Sequence, residues 1–395
     1  MNHPNLATYK QCTGCGACVD TCHKLALSIS IADDGHMYVL CDDDKCVLCH
    51  QCENVCPVVN KLEYASNTKK KSVPYSVYCT DNEIYKKSTS GGAFAAMAFQ
   101  FINEGGYVCG AVFDGNHVKH IVSNQKKDIM RMQGSKYMQS SLLGIYQMIA
   151  DLLKQGNKVL FCGMGCQSAA IYSYFKKNKN RDLLYIIDMI CGGVPSSLLA
   201  KNFLENESNF KRIVGYREKG KYILSCLNQN NEIEYLYYRN LPIVGFGSGL
   251  TNRYSCVNCH FCGIERLSDI TIGDHWIPQK RNNIHKSIAI VHTSKGYDLL
   301  QKTATLSKRI TDWSFIKYNY RCVIGKTINR YSLRRKLLAW NFKHLSYKTL
   351  CGLYGCNLKN PIWLFLKIYS VIIKTLDRLV IKIQLNFILK KISHS

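Results

Sequence analysis

Cys12-Thr13-Gly14-Cys15-Gly16-Ala17-Cys18-Val19-Asp20-Thr21-Cys22 separates four cysteines by two, two and three residues, and the run from Cys46 through Cys49, Cys52 and Cys56 to Pro57 repeats that spacing. Thiolates this close can wrap one corner of a cuboidal iron–sulfide cluster while N–H groups of the same tight turn point at its sulfides. Gly14 and Gly16 give the turn the freedom it needs. Structural zinc is the competing reading, but zinc sites use separated cysteine pairs, and two dense quartets fit it poorly. His23 stands where Pro57 follows the second run, which loosens one turn and leaves the ligands in place.

In two-cluster ferredoxins the fourth cysteine of each run reaches across to the other cluster. That pattern assigns Cys12, Cys15, Cys18 and Cys56 to one 4Fe–4S cluster, and Cys46, Cys49, Cys52 and Cys22 to a second. Residues 1–62 therefore read as a bacterial-type 2x4Fe–4S ferredoxin domain. The chain of 395 residues holds 21 cysteines, an odd number that excludes a complete set of intrachain disulfides. With no apolar secretory core in residues 1–10, the expected compartment is the cytoplasm.

Outward from this block, residues 60–74 read as a polar linker dotted with lysine. From about Val73 strand and helix alternate. Strands are expected at 77–80, 107–113, 118–122, 158–162, 183–190, 269–273 and 287–293, with a hairpin at 222–227 and 232–238. Helices are expected at 93–104, ended by Gly105 and Gly106, at 142–154, capped by Gly156, and at 196–207. Two more begin near Gln167, after a glycine loop, and near Gly296. The fold class is α+β: the ferredoxin domain, then a larger α/β domain over 73–330 with a mixed sheet, then a basic helical region over 331–395.

Three features of the large domain suit a cofactor. Ser90, Gly91 and Gly92 precede the 93–104 helix and offer either an anion site or an ordinary serine cap. Ser135, Lys136 and Tyr137 gather a hydroxyl, a cation and an aromatic ring after Gly134. The segment from Cys162 through Gly163 to Cys166 and Gln167 joins a buried strand to a helix, where α/β sheets place ligands. It lacks the third glycine of a dinucleotide fingerprint. The glycine and lysine spacing of 215–221 imitates a P-loop, but Tyr222 replaces the magnesium-binding hydroxyl, so nucleotide hydrolysis is excluded. Ala169 likewise breaks the three-cysteine spacing that radical chemistry on S-adenosylmethionine would need. A third cysteine group, Cys256, Cys259 and Cys262, calls for a fourth ligand, with Cys191 and Cys166 as candidates. It reads as a third 4Fe–4S cluster, a zinc site or buried thiols.

Taken together, the ferredoxin block and the ordered stretches Ser90-Gly91-Gly92, Gly134-Ser135-Lys136-Tyr137, 159–167, 188–196, the Cys256 triad and 268–276 resemble the coenzyme F420 hydrogenase/dehydrogenase beta-subunit family. The resemblance implies a flavin (FAD) domain passing electrons between a hydride carrier and iron–sulfur clusters; similar bacterial proteins are often encoded with polysaccharide-synthesis genes. Met164 and Gly165 stand where the family has Thr-Pro, Gly192 where it has His, and His275 where it has Phe. These positions surround the expected flavin, so the hydride donor stays open. Candidate acid–base groups are His117, His120, Asp274 and His275, each also readable as structural.

Charge completes the reading. The chain carries +25, of which +17 falls in residues 301–395, where Asp312 and Asp377 are the acids. The apolar stretch 361–395, with interspersed lysines, could dock on the body or lie on an anionic membrane surface. The expected partners are a redox protein or a hydride-carrying coenzyme. A non-catalytic electron-transfer subunit docking a partner enzyme is the alternative, and nucleic acid ranks last.

Overall fold

A computed structural model describes residues 3–60, 72–218, 220–275, 284–319 and 337–354, with Val323, Cys356 and Thr375. The linker residues 61–71 and, apart from Thr375, the 361–395 tail lie outside the described residues.

The N-terminal block forms around one hairpin, β1 (Leu27–Ile31) against β2 (Met37–Cys41). Two short helices, Ala17–Asp20 and Gln51–Val55, each follow a cysteine turn. Its own core is small: Cys18, Leu27 and Cys52 are the buried members.

The large domain is built on a nine-stranded mixed sheet. Its strands are β3 (Val73–Cys79), β4 (Tyr107–Asp114), β5 (His117–Ser123), β6 (Ser140–Ser141), β7 (Val159–Met164), β8 (Leu184–Met189), β12 (Ile270–Asp274), β13 (Ser287–Val291) and β14 (Leu306–Ile310). They run in the order β14-β3-β13-β12-β8-β7-β4-β5-β6. The centre, β12-β8-β7-β4, is parallel. Parallel strands are covered on both faces, which is why β7 reads as an unbroken apolar run and is buried from Val159 to Gly163.

One face packs against helices Ala93–Asn103, Lys126–Met132 and Ser294–Lys302. Ala93, Ala96 and Ala98 let the first of these approach the strands closely. The other face is covered by Ile145–Lys154 and Gly165–Phe175, and Ala17, Cys15 and Val55 of the N-terminal block join that same cluster. The ferredoxin block is therefore packed onto the body rather than tethered beside it.

A separate antiparallel sheet holds β9 (Phe210–Gly215), β10 (Leu224–Asn228) and β11 (Ile233–Leu236). The expected hairpin is β10 and β11; β9 is an addition that pairs with β10 through two register shifts. Helices Leu198–Asn206 and Leu241–Ser248 support it. From the C-terminal region, Tyr347–Tyr354 packs on Leu199 and Leu241. The expected glycine loop after β7 is absent: the strand runs to Met164 and the helix starts at Gly165. A Gln167 side chain that accepts from Met164 N at 3.0 Å closes that junction without extra residues.

Candidate functional site

Cys12, Cys15, Cys18 and Cys56 come together at the turn before Ala17–Asp20. Burial pushes the Cys15 thiol up to about 11, and the charges of Cys56 and Cys12 push the same way. Cys18 is raised by burial and then by Cys15, Cys12, Cys56 and Cys52. The Gly14 N–H donates to Cys12 Sγ at 3.4 Å, the amide-to-sulfur contact that a cluster turn requires. Cys22, Cys46, Cys49 and Cys52 line one small cavity with Leu27 and Val47. The fold thus groups Cys56 with the first run and Cys22 with the second.

Zinc sites use separated cysteine pairs, whereas these thiols come in two dense runs of four. The all-sulfur donor sets fit iron–sulfide clusters, and thiolates crowded in a dry site need the positive charge that iron supplies.

A third cysteine group forms beyond the carboxyl ends of β7 and β8, in the middle of the large sheet. Burial raises the Cys166 thiol well above its ordinary value, with the charges of Cys256, Cys191 and Cys15 adding to it. Cys259 lies within Coulomb reach of Cys166 and Cys256 and is raised most by its hydrogen bond with Cys262. The Gly193 N–H donates to Cys191 Sγ at 3.3 Å. Both candidates for the fourth position therefore stand with the triad, and Cys15 of the first quartet stands beside Cys166. The triad loop is bolted to the sheet by Arg266, which donates to Phe261 O at 3.0 Å, Gly263 O at 2.9 Å and Asp188 Oδ2 at 3.0 Å. Asp188, 1% exposed on β8, also accepts from Ser268 at 3.0 Å and Thr271 at 2.5 Å.

At the carboxyl ends of β7, β8 and β12 lies a cavity of about 550 Å³, within the usual range of cofactor pockets. Ser90, Gly92, Ser135, Lys136, Tyr137, Gly163 and Gln167 all line it, and so do Cys166, Cys191 and, from the N-terminal block, Thr13. Gly92, at φ 77, starts the Ala93–Asn103 helix with no side-chain cap, leaving its amide end open. Ser90 is not the cap; its Oγ donates to Lys286 O at 2.8 Å. Gly91 does not line the cavity. A Cβ there would fall 2.4 Å from Ser287 N and 2.6 Å from Val77 O, so this glycine serves strand packing.

Lys136 is folded back onto Met132 O, Gln133 O and Gly134 O at 3.2, 2.8 and 3.2 Å. Burial lowers its ammonium to about 7. Tyr137 stacks on Phe246 with centroids 3.8 Å apart, and Arg217 pairs with Asp274 at 2.5 Å; all four line the cavity. Of the acid–base candidates, His120 and Asp274 reach the cavity wall. His120 shares a 3.0 Å hydrogen bond with Cys162 O and is held near 4 by burial. His117 lies exposed on β5, and His275 stacks on Phe315 at 5.1 Å. The motif search missed Arg253 and Gln139. Arg253 bonds Cys12 O at 2.7 Å and Gln139 bonds Thr13 O and Gly14 O at 3.4 and 3.3 Å, joining the two domains. Isolated Arg and Gln residues carry no spacing signal.

Residues 11–60 match the family described as "4Fe-4S dicluster domain", and residues 156–311 match the C-terminal part of the beta subunit in the coenzyme F420 hydrogenase/dehydrogenase family. The F420-dependent formate dehydrogenase subunit beta of Methanocaldococcus jannaschii is 27% identical over 216 residues, covering 52% of this chain. The match spans 53% of that relative, about half its length. A chain of the F420-reducing [NiFe] hydrogenase complex from Methanosarcina barkeri, in a xenon-derivatised structure, superposes with a TM-score of 0.45 at 17% identity, over 73% of this chain and 96% of that one. Among the described residues no helix is long and apolar enough to cross a membrane. Residues 156–311 thus resemble the C-terminal part of the coenzyme F420 hydrogenase/dehydrogenase beta subunit, and residues 11–60 of the same chain a 4Fe–4S dicluster domain.

Proposed function

We propose that the chain is an iron–sulfur flavoprotein that relays electrons between a hydride carrier at the 550 Å³ cavity and a row of 4Fe–4S clusters. The single observation that carries this reading is continuity. The cavity wall includes Cys166 and Cys191, Cys166 lies within Coulomb reach of Cys15, and Cys18 of the first quartet lies within reach of Cys52 of the second. Cofactor pocket and three cysteine groups thus form one uninterrupted series.

In this reading Cys12, Cys15, Cys18 and Cys56 hold one cluster, and Cys46, Cys49, Cys52 and Cys22 another. The Cys256 triad holds a third, with Cys166 or Cys191 as fourth ligand. A flavin, FAD by family, supplies the conversion between hydride pairs and single electrons. The open amide end at Gly92, with Ser90 and Ser135 in the same cavity lining, would hold the flavin phosphate. The Tyr137–Phe246 stack and the Arg217–Asp274 pair also line the cavity and would orient the hydride carrier. His120 stays neutral above about pH 4 and holds the Cys162 carbonyl in place. The redox partner is a protein or coenzyme that exchanges electrons with this series, and the compartment is the cytoplasm.

Purification without oxygen, with iron, sulfide and flavin counted, tests the reading. The expected result is eight to twelve irons and one flavin per chain, roughly as two or three clusters and one cofactor require. Intact clusters with no flavin would leave only a docking subunit, and zinc in place of iron would end the redox reading.

A further inference from the structure

Arg253 is a fully buried side chain, 1% exposed, at the seam between the two domains. All its polar contacts are neutral. Nε donates to Cys12 O at 2.7 Å, Nη1 to Gln139 Oε1 at 3.0 Å and Nη2 to Met37 O at 2.5 Å. The guanidinium carbon lies 4.2 Å from the centre of the Tyr38 ring. Among the described residues it forms no ion pair. Asp34 lies beyond that ring, accepting from the Tyr38 and Tyr9 hydroxyls at 3.2 and 2.5 Å.

A guanidinium keeps its proton in every protein setting, so this charge is permanent. A buried cation with only neutral partners is an arrangement interiors avoid unless an anion stands close by. The surroundings name the anion. Arg253 bonds the Cys12 carbonyl on one side and lies within Coulomb reach of Cys166 on the other. The Cys256 N–H donates to the Arg253 carbonyl at 3.0 Å. Gly14 keeps the place open: at φ 66, a Cβ there would lie 2.9 Å from Arg253 Nη1 and 2.7 Å from Met37 O.

We propose that Arg253 is the fixed counter-charge of the two cluster sites that meet at this seam, and that it raises the reduction potential of the clusters held there by the Cys12 and Cys256 groups. This rests on the cluster reading of those groups. Each reduction adds one electron to a cluster and needs no proton, so the cluster gains one negative charge. A nearby fixed cation favours that reduced form, because cluster potential follows local charge and hydrogen bonding. Arg253 is a tuning residue; its fork also fixes the register of the two domains.

The test is an EPR-monitored redox titration of the full chain, clusters loaded and oxygen excluded, comparing wild type with Arg253→Lys, Arg253→Gln and Gln139→Glu. The Gln139 change sets a carboxylate on Nη1 and gives up the amide's two long donor contacts to Thr13 O and Gly14 O, so it cancels the charge while the arginine and its bonds to Cys12 O and Met37 O stay in place. Expected is a downward shift of at least one midpoint in both Arg253→Gln and Gln139→Glu, by tenfold in reduced fraction at fixed poise, about 59 mV for one electron. Arg253→Lys retains most of the wild-type value. If Arg253→Gln does not assemble, Gln139→Glu decides alone. Midpoints unmoved in a loaded Gln139→Glu protein overturn the proposal and leave the cluster reading standing. A wild-type preparation with no cluster signal overturns the cluster reading itself.

Discussion

Asp188, Thr271, His292 and Ser72 form a chain of hydrogen bonds whose direction can be worked out. The Thr271 hydroxyl donates to Asp188, so its oxygen accepts from His292 Nε2–H at 2.8 Å, and His292 Nδ1 accepts from Ser72 at 2.9 Å. The neutral imidazole satisfies both ring nitrogens, and burial lowers the His292 pKa to about 4. The native state therefore resists protonation while an unfolded histidine titrates near 6.5. The contribution is complete above that value and is lost as pH falls from about 6.5 towards 4, by roughly 3 kcal/mol. Denaturant midpoints across this window should fall more steeply for wild type than for His292→Gln; parallel profiles would contradict the assignment. Asp188 lies within a stretch the family resemblance had marked. Its role was not readable beforehand, because the partners at 266, 268 and 271 reach it through the fold, about eighty residues along the chain.

At the scale of elements, the legible segments are those whose periodicity and packing agree. The Ala93–Asn103 helix and the strands around it were visible because each buries a regular apolar face. Among the segments that were not, three show why. Lys126–Met132 buries only Ile129 and Met132, β9 alternates around Lys211 and Arg212, and Leu241–Ser248 contains Gly245 and Gly247 after Pro242. In the last, an Asn240 side chain accepting from Ile243 N at 3.2 Å starts a helix that propensity alone disfavours. Ser90-Gly91-Gly92 divides between two tasks that a motif cannot separate: Gly92 faces the cavity and Gly91 faces the sheet. Gly91→Ala should force β3 away from β13 and cost about 1–3 kcal/mol, the usual penalty of overpacking. Thermal melts measure this; an unchanged transition would show that the strands can part freely there.

At the scale of the molecule, the N-terminal block has too few buried apolar residues to hold itself together, with Cys18, Leu27 and Cys52 as its inner cluster. Small domains of this kind depend on metal for folding energy. Stripping iron with a chelator under mild acid should open residues 3–60 to protease while the nine-stranded body stays resistant. Peptide mapping of the digest distinguishes this from simultaneous loss of both regions, which would mean that the body supports the block unaided. Both cysteine runs and the buried strands of a mixed sheet were legible, since thiolate spacing and unbroken apolar runs are local signals. The seam was not, because it is made by single residues from distant segments.

That seam decides how current can move through the protein. Tyr146 reaches the carbonyl of Cys15 at 3.0 Å, Gln139 those of Thr13 and Gly14, and Arg253 that of Cys12. Four successive peptide groups of the metal-binding turn are clamped from the body, so no hinge is left between them to swing. In the proposed relay, transfer across this junction would be a fixed-distance tunnelling event, insensitive to solvent viscosity, with its speed set by the packing rather than by diffusion.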